Sequence, residues 1–431
     1  MRVINLKKVK EKIFYEKLEN GLDVYIVKKE NFKTNSVRFF TNFGGLDLEF
    51  IPNKEKEMVK MPSGIAHFLE HKLFETNSRV KVDEFFQKNG SYINAFTNYK
   101  KTCYHFKCNK NFKEQLIYFL DFIQTPYFTD KNVKKEKGII KQEALMTLDD
   151  PDRKFYQKMF ENVFNNLNYD KTVVGSLEDI ESITKEDLYK CYNTFYHPKN
   201  MCLLIVTNQD EKEIFDIIKD NQSKKDYSKK YKLIKKEYVE NDEVSKPYEI
   251  IYQNVKENRV CYSIKIDSSI FNMDREKLDF YLDFILFSNL SNYSKFNLDL
   301  KKKKIINKNI TYSVSFNKTS HKEYIMISIL SVSDNIDKYI KLLEKKLNNL
   351  TFSKEDFILI KKSIISDSLY MFNSVDGIMN YLYNDYMFNK KISSKSFDKA
   401  FELSYEETIK VLNKISNKNK SILIMKPKKD K

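Results

Sequence analysis

Glycine and proline are scarce in this chain of 431 residues, at 8 and 7. With 41% hydrophobic and 14% aromatic residues, that scarcity excludes a disordered or low-complexity polymer and leaves a globular protein. Cysteine is also sparse. Cys103, Cys108, Cys191, Cys202 and Cys261 are odd in number, lack paired spacing, and none lies in a C-x-x-C. The pattern points away from a disulfide framework or a cysteine-ligated metal, and toward reduced thiols and a cytoplasmic location. No apolar run is long enough to span a bilayer. Met1–Glu30 reads as a charged segment entering a strand, without the apolar core of a signal peptide.

The formal net charge is +16. Lysine is spread through both halves and no nucleic-acid module accompanies it. The charge therefore reads as a solvated surface, with no nucleic-acid partner expected. The Lys301–Lys304 run reads as an exposed loop. The length exceeds one ordinary core and suits two domains.

The two domains are written as a repeat. Thr184-Lys-Glu-Asp-Leu-Tyr-Lys-Cys-Tyr followed by Asn200-Met-Cys-Leu-Leu-Ile-Val matches Ser404-Tyr-Glu-Glu-Thr-Ile-Lys-Val-Leu followed by Lys420-Ser-Ile-Leu-Ile-Met, at an offset of 404 − 184 = 220. Each is a capped amphipathic helix, a turn and an apolar strand. Phe128-Thr-Asp-Lys-Asn-Val pairs with Phe352-Ser-Lys-Glu-Asp-Phe at offset 224, and Val37-Arg-Phe-Phe-Thr with Val260-Cys-Tyr-Ser-Ile at offset 223. His67-Phe-Leu-Glu-His-Lys-Leu-Phe pairs with Phe280-Tyr-Leu-Asp-Phe-Ile-Leu-Phe at offset 213, which leaves an extra loop near Asp47–Met61 in the first copy. Four matches in one order predict two homologous units over 1–225 and 247–431, joined by a polar linker at 226–246. Alternating strands, such as Leu22-Asp-Val-Tyr-Ile-Val after the Asn20-Gly21 turn, are interspersed with capped helices. The expected fold class is α+β, each unit a mainly antiparallel sheet covered by helices.

Only five histidines occur in the chain, and two stand at His67-Phe-Leu-Glu70-His71. On a helix the imidazoles lie one turn apart on one face, so both reach one metal ion. Glu70 projects beside them, where a carboxylate can take a proton from zinc-bound water, whose pKa the metal lowers to about 7. The pattern is H-x-x-E-H, the inverse of H-E-x-x-H. In the second copy these positions are Phe280, Asp283 and Phe284, so the helix itself does not require histidine. A third ligand is expected from Glu136 or Glu143, seven residues apart on one helical face. Two turns rise roughly 10 Å, so only one of them touches the metal while the other orients a ligand from behind. Their counterparts are Ile360 and Asp367. From its residues alone, Ser91-Tyr-Ile-Asn94-Ala95-Phe96-Thr97 reads as an internal strand. As an exposed edge near the metal it would accept a peptide by backbone pairing.

Gly64-Ile-Ala-His67-Phe-Leu-Glu70-His71, Asn94-Ala95-Phe96-Thr97 and Glu136-Lys-Gly-Ile-Ile-Lys-Gln-Glu143, with the later Asp149-Asp-Pro, Val174-Gly175-Ser and Phe195-Tyr-His-Pro198, resemble the pitrilysin, insulin-degrading and mitochondrial-processing-peptidase family of inverted-motif zinc peptidases. The likeness is to its bacterial processing-peptidase-like branch and covers essentially the whole chain. The resemblance implies a pair of α/β units that joins a second chain in a clam-like chamber and cleaves unfolded peptides or presequences. It also implies one Zn2+ per chain on His67, His71 and Glu143, Glu70 as general base, Glu136 behind the ligands, and Asn94, Ala95, Phe96 and Thr97 holding the substrate backbone. Active members of the family use an Arg and a Tyr in the second unit. Here Arg259 and Arg275 are the only arginines of that half, neither before a suitable Tyr, and Tyr312 follows lysines. The expectation is therefore the catalytic half of a heterodimer with a homologous non-catalytic chain, otherwise a homodimer. The rival expectation is a non-catalytic scaffold subunit of the same fold.

Overall fold

The computed structural model describes residues 1–78, 80–227 and 230–428. Its strands in chain order are β1 (Arg2–Leu6), β2 (Glu11–Lys17), β3 (Asp23–Lys28), β4 (Asn35–Thr41), β5 (Glu49–Ile51), β6 (Val59–Lys60), β7 (Tyr92–Thr97), β8 (Thr102–Cys108), β9 (Met201–Thr207), β10 (Ile234–Lys235), β11 (Tyr248–Gln253), β12 (Arg259–Asp267), β13 (Thr311–Lys318), β14 (Glu323–Val332) and β15 (Lys420–Pro427).

Burial decides which runs become central strands. Met201-Cys-Leu-Leu-Ile-Val-Thr207 is buried at every position and is the middle strand of its sheet, between β3 and β4. The seven-stranded sheet runs β1-β2-β3-β9-β4-β8-β7, and the five-stranded sheet runs β11-β15-β12-β14-β13. Within the first, β3 and β9 are parallel; within the second, β11 and β15 are. The remaining neighbours in both are antiparallel. The order β3-β9-β4-β8-β7 is thus repeated as β11-β15-β12-β14-β13, with the one parallel pair at the same place. Two α+β copies, each with a mainly antiparallel sheet covered by helices, are what this topology describes.

Four helices position the site: α1 (Ile65–Leu73), α2 (Val82–Lys88), α3 (Phe112–Gln124) and α4 (Asp130–Asp149). In the second copy, Arg275–Leu290 and Lys354–Tyr370 stand where α1 and α4 stand in the first. The core of the first copy joins Ile65, Phe68 and Leu69 of α1 to Tyr104 and Phe106 of β8 and to Leu116, Phe119 and Leu120 of α3.

By packing, the chain divides into one unit of Met1–Thr147, Lys171–Lys236 and Leu369–Ser394, and another of Leu148–Asp170, Glu237–Ser368 and Lys395–Lys431. The grouping is discontinuous, whereas the repeat groups the chain as 1–225, 226–246 and 247–431. Shifted by the 224-residue offset, 148–170 becomes 372–394, so each copy's segment after its long helix is counted with the other unit. The polar stretch read as a linker carries structure: β10 pairs with β5, and Glu240 is buried. Among the described residues no helix is long and apolar enough to cross a membrane.

Candidate metal centre

Helix α1 starts at Gly64, whose φ is +83°. A Cβ there would lie 2.2 Å from the Val174 carbonyl oxygen, and one on Gly175 would lie 2.5 Å from that of Ser63. Only two glycines allow this approach. The Val174-Gly175 segment is the seat of the helix start, which explains why those words accompany the histidine motif. Ile65, Phe68, Leu69 and Leu73 are buried on the core face of α1. His67 and Glu70 are also nearly inaccessible, at 8% and 7% exposed, and His71 is half-buried.

Helix α4 inserts Val133, Ile140 and Ala144 into the core. That face brings Glu136 and Glu143, two turns apart, onto opposite sides of one imidazole. Glu136 Oε1 is 3.1 Å from His71 Nδ1, while Glu143 Oε2 is 3.4 Å from His71 Nε2. Glu143 Oε1 is in turn 3.5 Å from His67 Nε2. The two rings are 4.6 Å apart. One donor atom each from His67, His71 and Glu143 lie within 4.8 Å of one another.

The electrostatics fit a cation at this point. Burial alone would lower the His71 pKa, but contacts with Glu136 and Glu143, with Glu70 nearby, raise it to about 9. Glu143 is held well below the usual carboxylate range by His67 and then His71. Burial would raise Glu136, and His71 more than reverses that. The carboxylates beside His71 thus favour positive charge at this point. Two imidazole nitrogens and one carboxylate oxygen are the donor chemistry that suits zinc.

Glu70 differs from its neighbours. Burial raises its pKa, against the opposing hydrogen bond from Thr97 and the charges of His67 and His71. Thr97 Oγ1 donates to Glu70 Oε2 at 2.5 Å. With His71, Glu70 lines a cavity of about 610 Å³ bounded by Phe74, Glu136, Val82 and Ala95.

The segment that its own residues suggest is internal stands at the edge: β7 is the last strand of its sheet, paired only to β8. Alternation cannot reveal this, because an edge strand with one covered face has the same period as a central one. Asn98 N donates to Lys101 O at 2.9 Å, so 96/103 and 94/105 are the hydrogen-bonded pairs and 97/102 and 95/104 are not. The amide and carbonyl of Ala95 therefore point off the sheet edge. Asn94 Oδ1 caps that amide at 2.8 Å, and Asn94 Nδ2 donates to Tyr92 Oη at 2.8 Å. Ala95 lines the cavity with Glu70 and His71, and Thr97 reaches Glu70 itself. Phe96 turns to the other sheet face, near His105 and Tyr383.

Sequence reasoning missed Thr102 and Gly44. Thr102 Oγ1 is 3.1 Å from Thr97 Oγ1 and donates to the Phe43 carbonyl at 3.0 Å. The available signal was a pair of threonines flanking a four-residue turn whose first member is Asn98.

The chain's relatives agree with this architecture. Residues 59–177 match the family model described as insulinase, peptidase family M16, and residues 182–364 match the one described as the peptidase M16 inactive domain. The zinc protease YmfH of Bacillus subtilis is 39% identical over 278 residues, 64% of each chain. A mitochondrial-processing peptidase subunit beta of Arabidopsis thaliana is 26% identical over 161 residues, 36% of this chain and 30% of that one. Among solved structures, an M16-like peptidase from Alicyclobacillus acidocaldarius has a TM-score of 0.87 at 24% identity, covering 97% of this chain and 99% of that one. Pitrilysin has a TM-score of 0.77 at 16% identity, covering 99% of this chain and 46% of that one. The chain belongs to the M16, or insulinase, family of peptidases. The alignments span less than two thirds of the curated relatives, 64% of YmfH and 48% of a zinc protease from Rickettsia felis.

Proposed function

We propose that this chain is a zinc metalloendopeptidase acting on unfolded peptides or presequences. The observation that carries the reading is the convergence of His67, His71 and Glu143 donor atoms within 4.8 Å, beside a buried carboxylate. In this reading His67, His71 and Glu143 hold one Zn2+, Glu136 orients His71 through Nδ1, and Glu70 is the general base. When bound, zinc supplies Lewis acidity toward water and the scissile carbonyl. Glu70 accepts the proton that water loses and returns it to the leaving amine. The Asn94–Thr97 edge holds the substrate main chain, with Ala95 offering its outward amide once Asn94 releases it.

The heterodimer belongs to the same proposal. Arg259 pairs with Asp152, and Arg275 with Glu323, so both arginines of the second copy are engaged in ion pairs. A homologous non-catalytic chain would then supply the substrate-holding Arg and Tyr, with a homodimer as the other arrangement. The boundaries 1–225, 226–246 and 247–431 are proposed as the limits of the duplicated copies and their linker. Five free, buried cysteines support a cytoplasmic location.

The test is cleavage of an unstructured peptide mixture by the zinc-loaded chain, with chelator and Glu70→Gln controls. Chelator-sensitive cleavage that Glu70→Gln abolishes, with zinc retained, is expected of the peptidase. Unchanged cleavage in Glu70→Gln would remove Glu70 as the base, and full activity of the chain alone would remove the need for a partner. A scaffold would bind no zinc and cleave nothing with any partner chain.

A further inference from the structure

We infer that the side chain of Thr97 positions Glu70 and is locked in place by Thr102, while the Thr97 main chain stays part of the proposed substrate-binding edge. The inference rests on the peptidase reading, since it concerns how the proposed base is held.

Thr97 and Thr102 face each other across β7 and β8. They occupy a pair without mutual backbone hydrogen bonds, where side chains approach most closely. Their hydroxyls are 3.1 Å apart. A hydroxyl has one proton to donate and two lone pairs to accept with. The Thr97 proton goes to Glu70 Oε2 at 2.5 Å, so toward Thr102 the Thr97 oxygen can only accept. The Thr102 proton is shared between that oxygen and the Phe43 carbonyl, 3.0 Å away. The Thr97 rotor thereby has one direction left for its proton, and Glu70 has one oxygen fixed and the other, Oε1, left for water.

The frame around the pair is rigid. Asn98 Oδ1 accepts from the amides of Lys100 and Lys101 at 2.8 and 2.9 Å, closing the turn between the two threonines. Gly45 N and Leu46 N donate to the carbonyls of Asn98 and Tyr99, both at 3.0 Å, which fastens that turn to the loop carrying Phe43. A carboxylate at 7% exposure, on a side chain with three rotatable bonds, needs such a constraint to stay within reach of a reacting water.

Thr97→Val removes the hydroxyl and keeps the branched shape, whereas Thr97→Ser keeps the hydroxyl. The expected result for Thr97→Val is a fall in kcat of about 10–100-fold, as for other supports of catalytic groups, with KM and zinc content unchanged. Thr97→Ser should recover most of that loss. Equal impairment in the two variants, or a kcat within about twofold of the parent in Thr97→Val, would overturn the assignment. A readout without turnover comes from denaturant unfolding of the metal-free parent, Thr97→Val, Glu70→Ala and the double variant, since Ala removes the acceptor that Gln would keep. Destabilisations that fail to add would support the contact, and strictly additive ones would refute it. Glu70→Gln separates the two levels: if it cleaves normally the peptidase reading fails, and if it is dead while Thr97→Val is normal only this inference fails.

Discussion

Glu136 Oε1 lies 3.1 Å from His71 Nδ1, on the side of the ring opposite Glu143. A carboxylate there fixes the tautomer that presents Nε2 as a lone pair and restrains ring rotation. Glu136→Gln should weaken zinc binding by about 10–100-fold while leaving the fold intact, as read by competition with a chromophoric chelator. Glu143→Gln, altering a proposed ligand itself, should weaken it further. Equal affinities for the parent and Glu136→Gln would show that His71 needs no support.

Gly44 sets the height of the turn that carries Thr97. A Cβ there would lie 2.5 Å from the backbone of Lys100 and Lys101 and 2.6 Å from the Asn98 carbonyl oxygen. These are main-chain atoms in a hydrogen-bonded turn, so they yield only by moving the strand ends. Gly44→Ala should therefore destabilise the protein by roughly 1–3 kcal/mol and lower kcat with zinc content unchanged. A variant of parental stability and kcat would mean that the turn shifts freely.

Much of this was legible in the sequence, for local reasons. Residues at i, i+3 and i+4 share a helix face whatever surrounds them, so His67, Glu70 and His71 were readable as a cluster. The repeated capped helices made the duplication readable as well. What was not legible depends on distant packing. Nothing local says that α4 docks so that Glu136 and Glu143 straddle a single ring. Nothing in the alternation of Tyr92–Thr97 distinguishes an edge from a centre. The grouping of 148–170 with the second unit and 369–394 with the first is a property of tertiary contacts alone. Thr102 escaped because a threonine in a strand is unremarkable until its cross-strand partner is known.

Lys265 holds the linker and 148–170 to the second sheet. It is fully buried and donates to Glu240 Oε1 at 2.8 Å and to the carbonyls of Asn241, Glu243 and Val163 at 2.7, 3.1 and 3.1 Å. Glu240 in turn accepts from the amides of Asn165 and Asn166 at 2.8 and 2.9 Å. Lys265→Met leaves the buried Glu240 carboxylate without its counter-charge and three carbonyls without the ammonium, at a cost of about 3–5 kcal/mol. Denaturant unfolding would read it, and a loss under 1 kcal/mol would mean that water replaces the ammonium freely.

Lys101 is the opposite case, a buried amine with no carboxylate partner among the described residues. Its residue is 1% exposed, and Nζ has no hydrogen-bond partner among the described residues. It lies instead over the rings of Phe40 and Tyr386, at 4.7 and 5.4 Å. Burial first, and then the charge of Lys390, push its pKa from 10.5 down to about 6. Between those two pH values the unfolded chain binds a proton that the folded chain lacks, so stability rises with pH across the window. Below about pH 6 both states are protonated and the full cost of burying an ammonium is present; above 10.5 neither is, and the cost is gone. Lys101→Met should therefore stabilise the protein by roughly 1–4 kcal/mol near pH 6, and the gain should shrink steadily toward pH 10. Urea unfolding of both proteins at pH 6, 7.5 and 9 measures it, and a gain that grows with pH, or a loss throughout, would contradict a neutral buried amine.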